Sequence, residues 1–148
     1  SGNVLDVLAR QFLWEEKTDY AHGTGHGVGA GLSVHEGPQG ISKAASNRTP
    51  LEVGMVVSNE PGYYDMEAEF GIRIENLIEV VSGGEGWLEF KSLTMIPIQK
   101  DLIDVALLSV GERAWIDDYH AEVFERVGAL LDEGSRAKAW LRKATEKL

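Results

Sequence analysis

A segment rich in glycine and histidine constrains this chain more than any other part of its sequence. Residues 20–29 read Tyr-Ala-His-Gly-Thr-Gly-His-Gly-Val-Gly, and a second short block, Val34-His-Glu-Gly-Pro38, follows closely. Glycine lets backbone approach a metal or a substrate, at a cost in chain entropy, and neutral imidazole is the commonest protein metal ligand. The histidines of this region therefore favour a functional site over a glycine-rich turn with incidental histidines; they are His22, His26 and His35.

Two later segments supply carboxylates. Residues 53–64 read as an apolar strand that runs into a Pro-Gly turn, so Glu60 stands at the end of the strand and can project into a cleft. Residues 71–81 begin with alternating apolar and polar side chains, which places Arg73 and Glu75 on one face of a strand. One imidazole and two carboxylates form a donor set that suits manganese and similar hard cations better than zinc.

Four blocks of sequence together resemble the Xaa-Pro aminopeptidases (aminopeptidase P), which belong with prolidases and methionine aminopeptidases to the pita-bread metallopeptidases. The blocks are residues 22–29, 34–38, 59–64 and 71–76. They have the family's order and spacing, and the resemblance extends across nearly the whole chain. It implies an α+β fold, the C-terminal portion of a pita-bread domain, with a curved and mainly antiparallel sheet, flanking helices and two C-terminal helices.

The resemblance also implies a metal centre. Carried over position by position, it makes His26, Glu60 and Glu75 ligands of two divalent cations, with manganese expected and zinc or cobalt as alternatives. Glu60 would in addition accept a proton from the attacking water. Arg73 falls where the family holds an arginine beside a metal-binding glutamate, which fits an orienting role, because ligating carboxylates are usually held by outer partners.

The same resemblance assigns a substrate pocket. His22 and His35 match positions that hydrogen-bond the scissile peptide or its tetrahedral intermediate. The expected substrate is a peptide with proline in second position, from which the first residue is released. Prolidase activity on Xaa-Pro dipeptides and a non-catalytic pita-bread binding module are the alternatives, and methionine aminopeptidase fits less well.

The chain departs from the family pattern upstream of His22. A complete family site uses two aspartates and a further histidine there, whereas the aspartates in this part of the chain are Asp6 and Asp19, and neither lies in the strand motif that carries the family's ligands. We therefore expect residues 1–148 to be a single C-terminal fragment of a catalytic domain, with an incomplete metal shell and no normal activity alone.

Composition narrows the class of protein. The net charge of −10 argues against nucleic acid as a partner, because binding to phosphates needs basic surface. No apolar run approaches the roughly 20 residues that span a bilayer, so we expect no membrane partner. The absence of cysteine fits a cytoplasmic location.

The periodicity of apolar residues predicts the layout. A helix over about residues 3–14 should pack against the sheet through Leu5, Leu8, Ala9 and Phe12. The site loop and strands should occupy about 20–97, with strands near 53–59, 71–81 and 87–95. The glycine-rich stretch 82–86 should form a hairpin turn, and the acidic stretch 65–69 should be a solvated turn.

Terminal helices are predicted over about residues 110–147. Ser109 and Glu112 have the spacing of a capping box, and Gly134 and Ser135 mark the end of one helix and the start of the next. His120 lies beside the apolar stripe of the first terminal helix, so we expect it at a surface or an interface. The stripe comprises Trp115, Tyr119, Val123, Val127 and Leu130. These aromatic-rich helices suggest a homodimer, and the alternative is that they cover the protein's own sheet.

Overall fold

The computed structural model describes residues 1–31 and 33–148. These residues form two compact units, 1–94 and 95–148, and each is described by itself. Among the described residues, no helix is both long enough and apolar enough to cross a bilayer.

The first unit opens with helix α1, Gly2–Glu15, which confirms the predicted helix. Its predicted packing face is wrong in large part, because Leu8 and Phe12 are 60% and 62% exposed while Asp6 and Arg10 are fully buried. The Arg10 guanidinium donates to the Asp6 carboxylate at 2.6 Å, one helical turn away. Since the two charges satisfy each other, the helix can turn this polar stripe inward and the predicted apolar stripe outward.

Among the residues of the first unit that the structure describes, seven short strands follow, and every pairing among them is antiparallel. Strand β1 pairs with β2, β4 pairs with β5, and β6 lies between β3 and β7. Ile41, Val57 and Ile78 form the buried apolar cluster of this unit, against which Leu5 of α1 packs. The strand bounds are β1 Gly25–His26, β2 Gly40–Ile41, β3 Val56–Asn59, β4 Gly62–Asp65, β5 Phe70–Arg73, β6 Asn76–Gly84 and β7 Trp87–Ser92.

The predicted continuous strand over 71–81 is wrong, because the chain changes partners within it. β5 pairs with β4 and ends at Arg73, whereas β6 begins at Asn76 and pairs with β3 and β7. Glu75 lies between the two strands and does not share a strand face with Arg73. The predicted acidic turn over 65–69 links β4 to β5, and Met66 at its tip is exposed.

The predicted turn between the last two strands is confirmed, although it is narrower than 82–86. Gly84 pairs with Trp87 across Glu85 and Gly86, which have φ of 48° and 86°. A two-residue turn with positive φ at both central positions matches the right-handed twist of the flanking strands, and Gly86 adopts this conformation without a steric penalty.

The second unit contains α2, Val110–Gly128, and α3, Arg136–Ala144. The predicted capping box is present: Ser109 Oγ accepts from the Glu112 amide at 3.2 Å, and the Glu112 carboxylate accepts from the Ser109 amide at 2.8 Å. Gly134 has φ of 76°, and Ser135 Oγ caps α3 by accepting from the Lys138 amide. Both predicted helix starts are therefore correct.

The buried face of α2 differs from the predicted stripe. Trp115 and Leu130 are 56% and 84% exposed. His120 is fully buried within its own unit, which contradicts the expectation that it lies at a surface or an interface. Its Nε2 accepts from the Ile98 amide at 3.0 Å, so a neighbouring loop stabilises a polar group that periodicity places beside the stripe. The buried side chains of α2 are Ile116, Tyr119, His120 and Val123.

Candidate metal centre

Strand β1 brings His26 to the end of β3. The backbone at Gly25 lies so close to β3 that a Cβ there would stand 1.8 Å from the Ser58 carbonyl oxygen. Only glycine can occupy this position without displacing backbone. The His26 amide then donates to Ser58 Oγ at 2.9 Å. The glycine spacing noted in the sequence therefore serves a close backbone approach beside the site.

The His26 ring is oriented by its own loop. Nδ1 lies 3.0 Å from the Gly27 carbonyl oxygen, and because a carbonyl only accepts, Nδ1 carries the proton of this bond. Nε2 of the neutral ring is then left with its lone pair, and it faces Glu60 Oε1 at 3.3 Å. Metal-binding histidines commonly donate their other ring N–H in this way.

Glu60 is nearly buried and held by bonds to both carboxylate oxygens. Ser58 Oγ donates to Oε1 at 2.8 Å, and Arg73 Nη1 donates to Oε2 at 3.1 Å. The Glu60 amide donates to the Thr24 carbonyl at 2.7 Å, which fixes its backbone to the site loop. The predicted orienting role of Arg73 thus has a direct geometric counterpart.

Glu75 completes a group of three potential metal ligands. One ligand atom from each of His26, Glu60 and Glu75 lies within 4.8 Å of the other two, although Glu75 is exposed. Ligands about 2.1 Å from one cation, at tetrahedral or octahedral angles, are about 3.0–3.4 Å apart. Atoms up to 4.8 Å apart must therefore move closer by as much as about 1.8 Å to bind one ion, and the exposed Glu75 side chain has room to rotate.

The chemistry of this group fits a cation. A lone pair on Nε2 and a carboxylate oxygen at 3.3 Å repel each other unless a proton or a metal ion lies between them. The donor set of one imidazole and two carboxylates suits manganese and similar hard cations. The three predicted ligands therefore have the donor chemistry that a divalent metal requires.

His22 lies in a hydrogen-bonded chain at the edge of the site. Arg73 Nε donates to the Tyr64 hydroxyl oxygen at 2.8 Å, and this hydroxyl lies 3.0 Å from His22 Nε2. His22 Nδ1 donates to the Gly23 carbonyl at 2.8 Å. The Tyr64 hydroxyl therefore donates a hydrogen bond to His22 Nε2. Through Tyr64, the predicted pocket histidine is connected to Arg73.

His35 is exposed and lies beside the metal group. Its ring centroid is 4.1 Å from that of His26, and the two rings are tilted by 48°. The structure thus brings His35 to the site from the second sequence block. The structure brings all six predicted site residues together: five of them contact another member of the group or the tyrosine that joins two of them, and Glu75 has a ligand atom within 4.8 Å of those of His26 and Glu60. The six are His22, His26, His35, Glu60, Arg73 and Glu75.

Sequence reasoning missed Ser58 and Tyr64. Ser58 is two residues before Glu60 on a strand, and side chains two apart share a face, so the spacing could have indicated the contact. No comparable signal existed for Tyr64, because its approach to Arg73 depends on the register of the β4–β5 hairpin.

Comparison with known proteins places the chain among metallopeptidases. Residues 1–82, more than half of the chain, match the model of metallopeptidase family M24, and residues 86–148 match that of the C-terminal region of peptidase M24. The chain belongs to metallopeptidase family M24. With this family and the geometry together, the resemblance noted in the sequence is confirmed, and so is the α+β pita-bread architecture.

Relatives of this M24 chain include proteins that are named as aminopeptidases P. A probable Xaa-Pro aminopeptidase P of Laccaria bicolor is 49% identical over all of the chain, and the aminopeptidase P2 of Arabidopsis thaliana is 54% identical over 99% of it. The chain spans 24% and 21% of those two proteins, about a quarter or less of their length.

A solved structure agrees with the fold. The X-prolyl aminopeptidase of Caenorhabditis elegans, described as a cytosolic enzyme with a di-nuclear active site, matches 99% of this M24 chain with a TM-score of 0.89. The two are 42% identical, and the match covers 25% of the C. elegans chain.

Proposed function

We propose that the protein containing this chain is an Xaa-Pro aminopeptidase, which releases the first residue from peptides with proline in second position. The observation that carries the proposal is the convergence of His26, Glu60 and Glu75 within 4.8 Å in a chain about half identical to proteins of that name. A pure binding surface has no need for three convergent ligands, which speaks against a non-catalytic module.

The proposed cofactor is a pair of divalent cations, with manganese first and zinc or cobalt as alternatives. His26, Glu60 and Glu75 would contribute to holding it, and the rest of the protein would supply the missing ligands. Such cations lower the pKa of a water and polarise a carbonyl. Because this chain carries part of the shell, we expect residues 1–148 alone to be inactive.

The side chains around the metal group have separate tasks in this proposal. Glu60 accepts the proton of the attacking water and returns it to the leaving nitrogen, and Ser58 and Arg73 hold its carboxylate in place. His22 or His35 donates to the scissile carbonyl oxygen as charge develops on it. His22 can do so only after its Nδ1–H releases the Gly23 carbonyl or its Nε2 gains a proton. Tyr64, which bridges Arg73 and His22, orients the His22 ring.

Three further features of the protein are part of the proposal. The substrate is a peptide with a free amino terminus and a second-position proline. A cytoplasmic location is supported by the absence of cysteine and by the cytosolic C. elegans relative. A homodimer through the terminal helices is supported by the exposure of Trp115 and Trp140, since aromatic side chains are enriched at interfaces.

The test uses the full-length protein loaded with manganese and three substrates: Ala-Pro-Ala, Ala-Pro and Met-Ala-Ser. An aminopeptidase P releases alanine from Ala-Pro-Ala, whereas a prolidase cleaves only the dipeptide Ala-Pro. Met-Ala-Ser is the substrate for the methionine aminopeptidase alternative. Loss of the Glu75 carboxylate in Glu75→Gln should weaken manganese binding in calorimetry, and Glu69→Gln on the exposed β4–β5 turn is the matched control. Absence of both metal binding and hydrolysis in the wild-type protein would refute the proposal in favour of a binding module.

A further inference from the structure

A buried guanidinium lies behind the site loop, outside the metal group. The Arg10 side chain of α1 is fully buried, and all five of its N–H groups have acceptors. Two of these bonds go to the Asp6 carboxylate and one to Asp19. The planar fork of arginine can meet this many acceptors at once, which an ammonium group cannot.

The other two bonds of Arg10 hold the backbone of the site loop. Nη1 donates to the Tyr20 carbonyl at 2.6 Å, and Nη2 donates to the His22 carbonyl at 2.7 Å. The guanidinium also lies 3.9 Å from the centroid of the Tyr20 ring. The backbone is thereby fixed on both sides of Ala21, immediately before a stretch of alternating glycines that would otherwise have wide conformational freedom.

A second branch runs from the same pair to Glu60. Thr24 Oγ1 donates to Asp6 Oδ1 at 2.7 Å. Because its single proton is used there, Thr24 Oγ1 accepts a hydrogen bond from the Tyr20 hydroxyl. Burial raises the pKa of Tyr20 and keeps that proton in place. The Thr24 carbonyl in turn accepts from the Glu60 amide at 2.7 Å. Asp6 and Arg10 are thus connected to both His22 and Glu60 through the loop.

We propose that Arg10 is a positioning residue, which sets the placement of His22 and Glu60 by holding the loop backbone, with Asp6 as its counter-charge. The catalytic part of this inference rests on the proposed function, whereas the fixing of the loop does not. A role in stability alone would require only that the buried charge be neutralised, and Asp6 already does this. The bonds to the Tyr20 and His22 carbonyls are additional, and both hold the backbone of the site loop.

The test compares Arg10→Lys with two controls in the full-length, metal-loaded protein. Arg10→Lys keeps the charge but cannot meet five acceptors. Because a displacement of about 1 Å at a site can cost about 100-fold in rate, we expect kcat for Ala-Pro-Ala to fall about 100-fold with KM little changed. Lys43→Ala removes the other ion pair of Asp19. Because that ion pair does not involve the loop carbonyls, the substitution should leave both kcat and KM unchanged.

Val80→Ala is the control for stability, because Val80 is buried in the first unit on β6. It should lower thermal stability without lowering kcat at temperatures where the protein is folded. A wild-type kcat in Arg10→Lys would overturn the proposal, as would a fall no larger than that of Val80→Ala. If Arg10→Lys does not fold, Asp6→Asn takes its place, since it keeps the shape of the pair while weakening it.

A second measurement does not depend on catalysis. Amide hydrogen exchange of a peptide over residues 20–28 should be faster in Arg10→Lys than in the wild type, and unchanged in Lys43→Ala. Unchanged exchange in Arg10→Lys would overturn the positioning role even if the enzyme is active. If the wild type hydrolyses no substrate while exchange in Arg10→Lys is faster, the proposed function fails and the fixing of the loop by Arg10 stands.

Discussion

The two units differ in the kind of side chain that they bury. Unit 1 buries several polar side chains as well as apolar ones, whereas the buried side chains of unit 2 are apolar except for a single histidine. The buried polar side chains of unit 1 are Asp6, Arg10, Thr24, Ser58 and Glu60, and the buried apolar ones of unit 2 are Ile116, Tyr119, Val123 and Leu141.

This difference separates what each interior does. A buried polar group costs free energy unless it is hydrogen-bonded, and the polar groups of unit 1 are bonded to one another and to the site loop. They fix geometry more than they add stability. Apolar burial in unit 2 contributes stability through area removed from water. Mutations in the two interiors should therefore affect different measured quantities.

The largest expected effect comes from the polar interior. Glu60→Gln in the full-length protein should lower kcat for an Xaa-Pro peptide by about 10²–10⁴, because it removes the proton acceptor. The fold, followed by circular dichroism, should be unchanged. A near-normal kcat would exclude Glu60 from proton transfer and would weaken the comparison at its strongest point.

Leu141→Ala tests the opposite side of the comparison. Leu141 is buried in the Tyr119–Val123 cluster, so its truncation should lower the free energy of unfolding by about 2–5 kcal/mol. Urea denaturation followed by circular dichroism measures this loss. If kcat below the unfolding transition fell as much as it does in Glu60→Gln, the separation of stability, provided by apolar burial, from site geometry, provided by the buried polar groups of unit 1, would be wrong.

A smaller effect is expected at the start of α2. Ser109→Ala removes half of the capping box and should cost about 1 kcal/mol. Ser109→Asp keeps an acceptor for the Glu112 amide and should recover most of the loss in the same urea titration. Equal stability of the two variants would show that the cap contributes little.

The smallest effect concerns the one buried histidine of unit 2 that the structure describes. Burial, together with the nearby Lys100 charge, lowers the pKa of His120 below its usual value of 6.5, and its Nε2 must stay unprotonated to accept from the Ile98 amide. The folded state then binds fewer protons than the unfolded state, so its stability is complete above pH 6.5 and falls as the pH drops below that value.

His120→Gln should remove this dependence, because the glutamine oxygen can accept from Ile98 without titrating. The measurement is the urea midpoint of both proteins between pH 5 and 7. A wild-type midpoint that stays level over this range, relative to the variant, would show that protonation of His120 does not act on the fold.

Features set by neighbours in sequence were predicted well. The capping box of Ser109 and Glu112 and the turn at Glu85 and Gly86 depend on a few adjacent residues, and both are present. The three metal-ligand candidates were also found from the sequence, through the family motifs that carry them, and the structure brings them together.

Features that depend on distant partners were missed. Periodicity treated residues 71–81 as one strand, because it cannot show that β5 and β6 pair with different neighbours. Periodicity also predicted that the apolar side chains of α1 form its buried face, although the Asp6–Arg10 pair determines which face is buried. A charged pair four residues apart on a helix is usually at the surface, and nothing in its spacing tells a buried pair from an exposed one.

The bonds of Arg10 have a practical consequence for protein engineering. The histidine loop cannot be transplanted as a self-contained cassette, since two of its carbonyls are held by a side chain that begins ten residues earlier, on a separate helix. A scaffold that accepts the loop must also accept the helix, with its acidic companion at the matching turn. Redesign of specificity in this protein should therefore transfer or change the helix and the loop together.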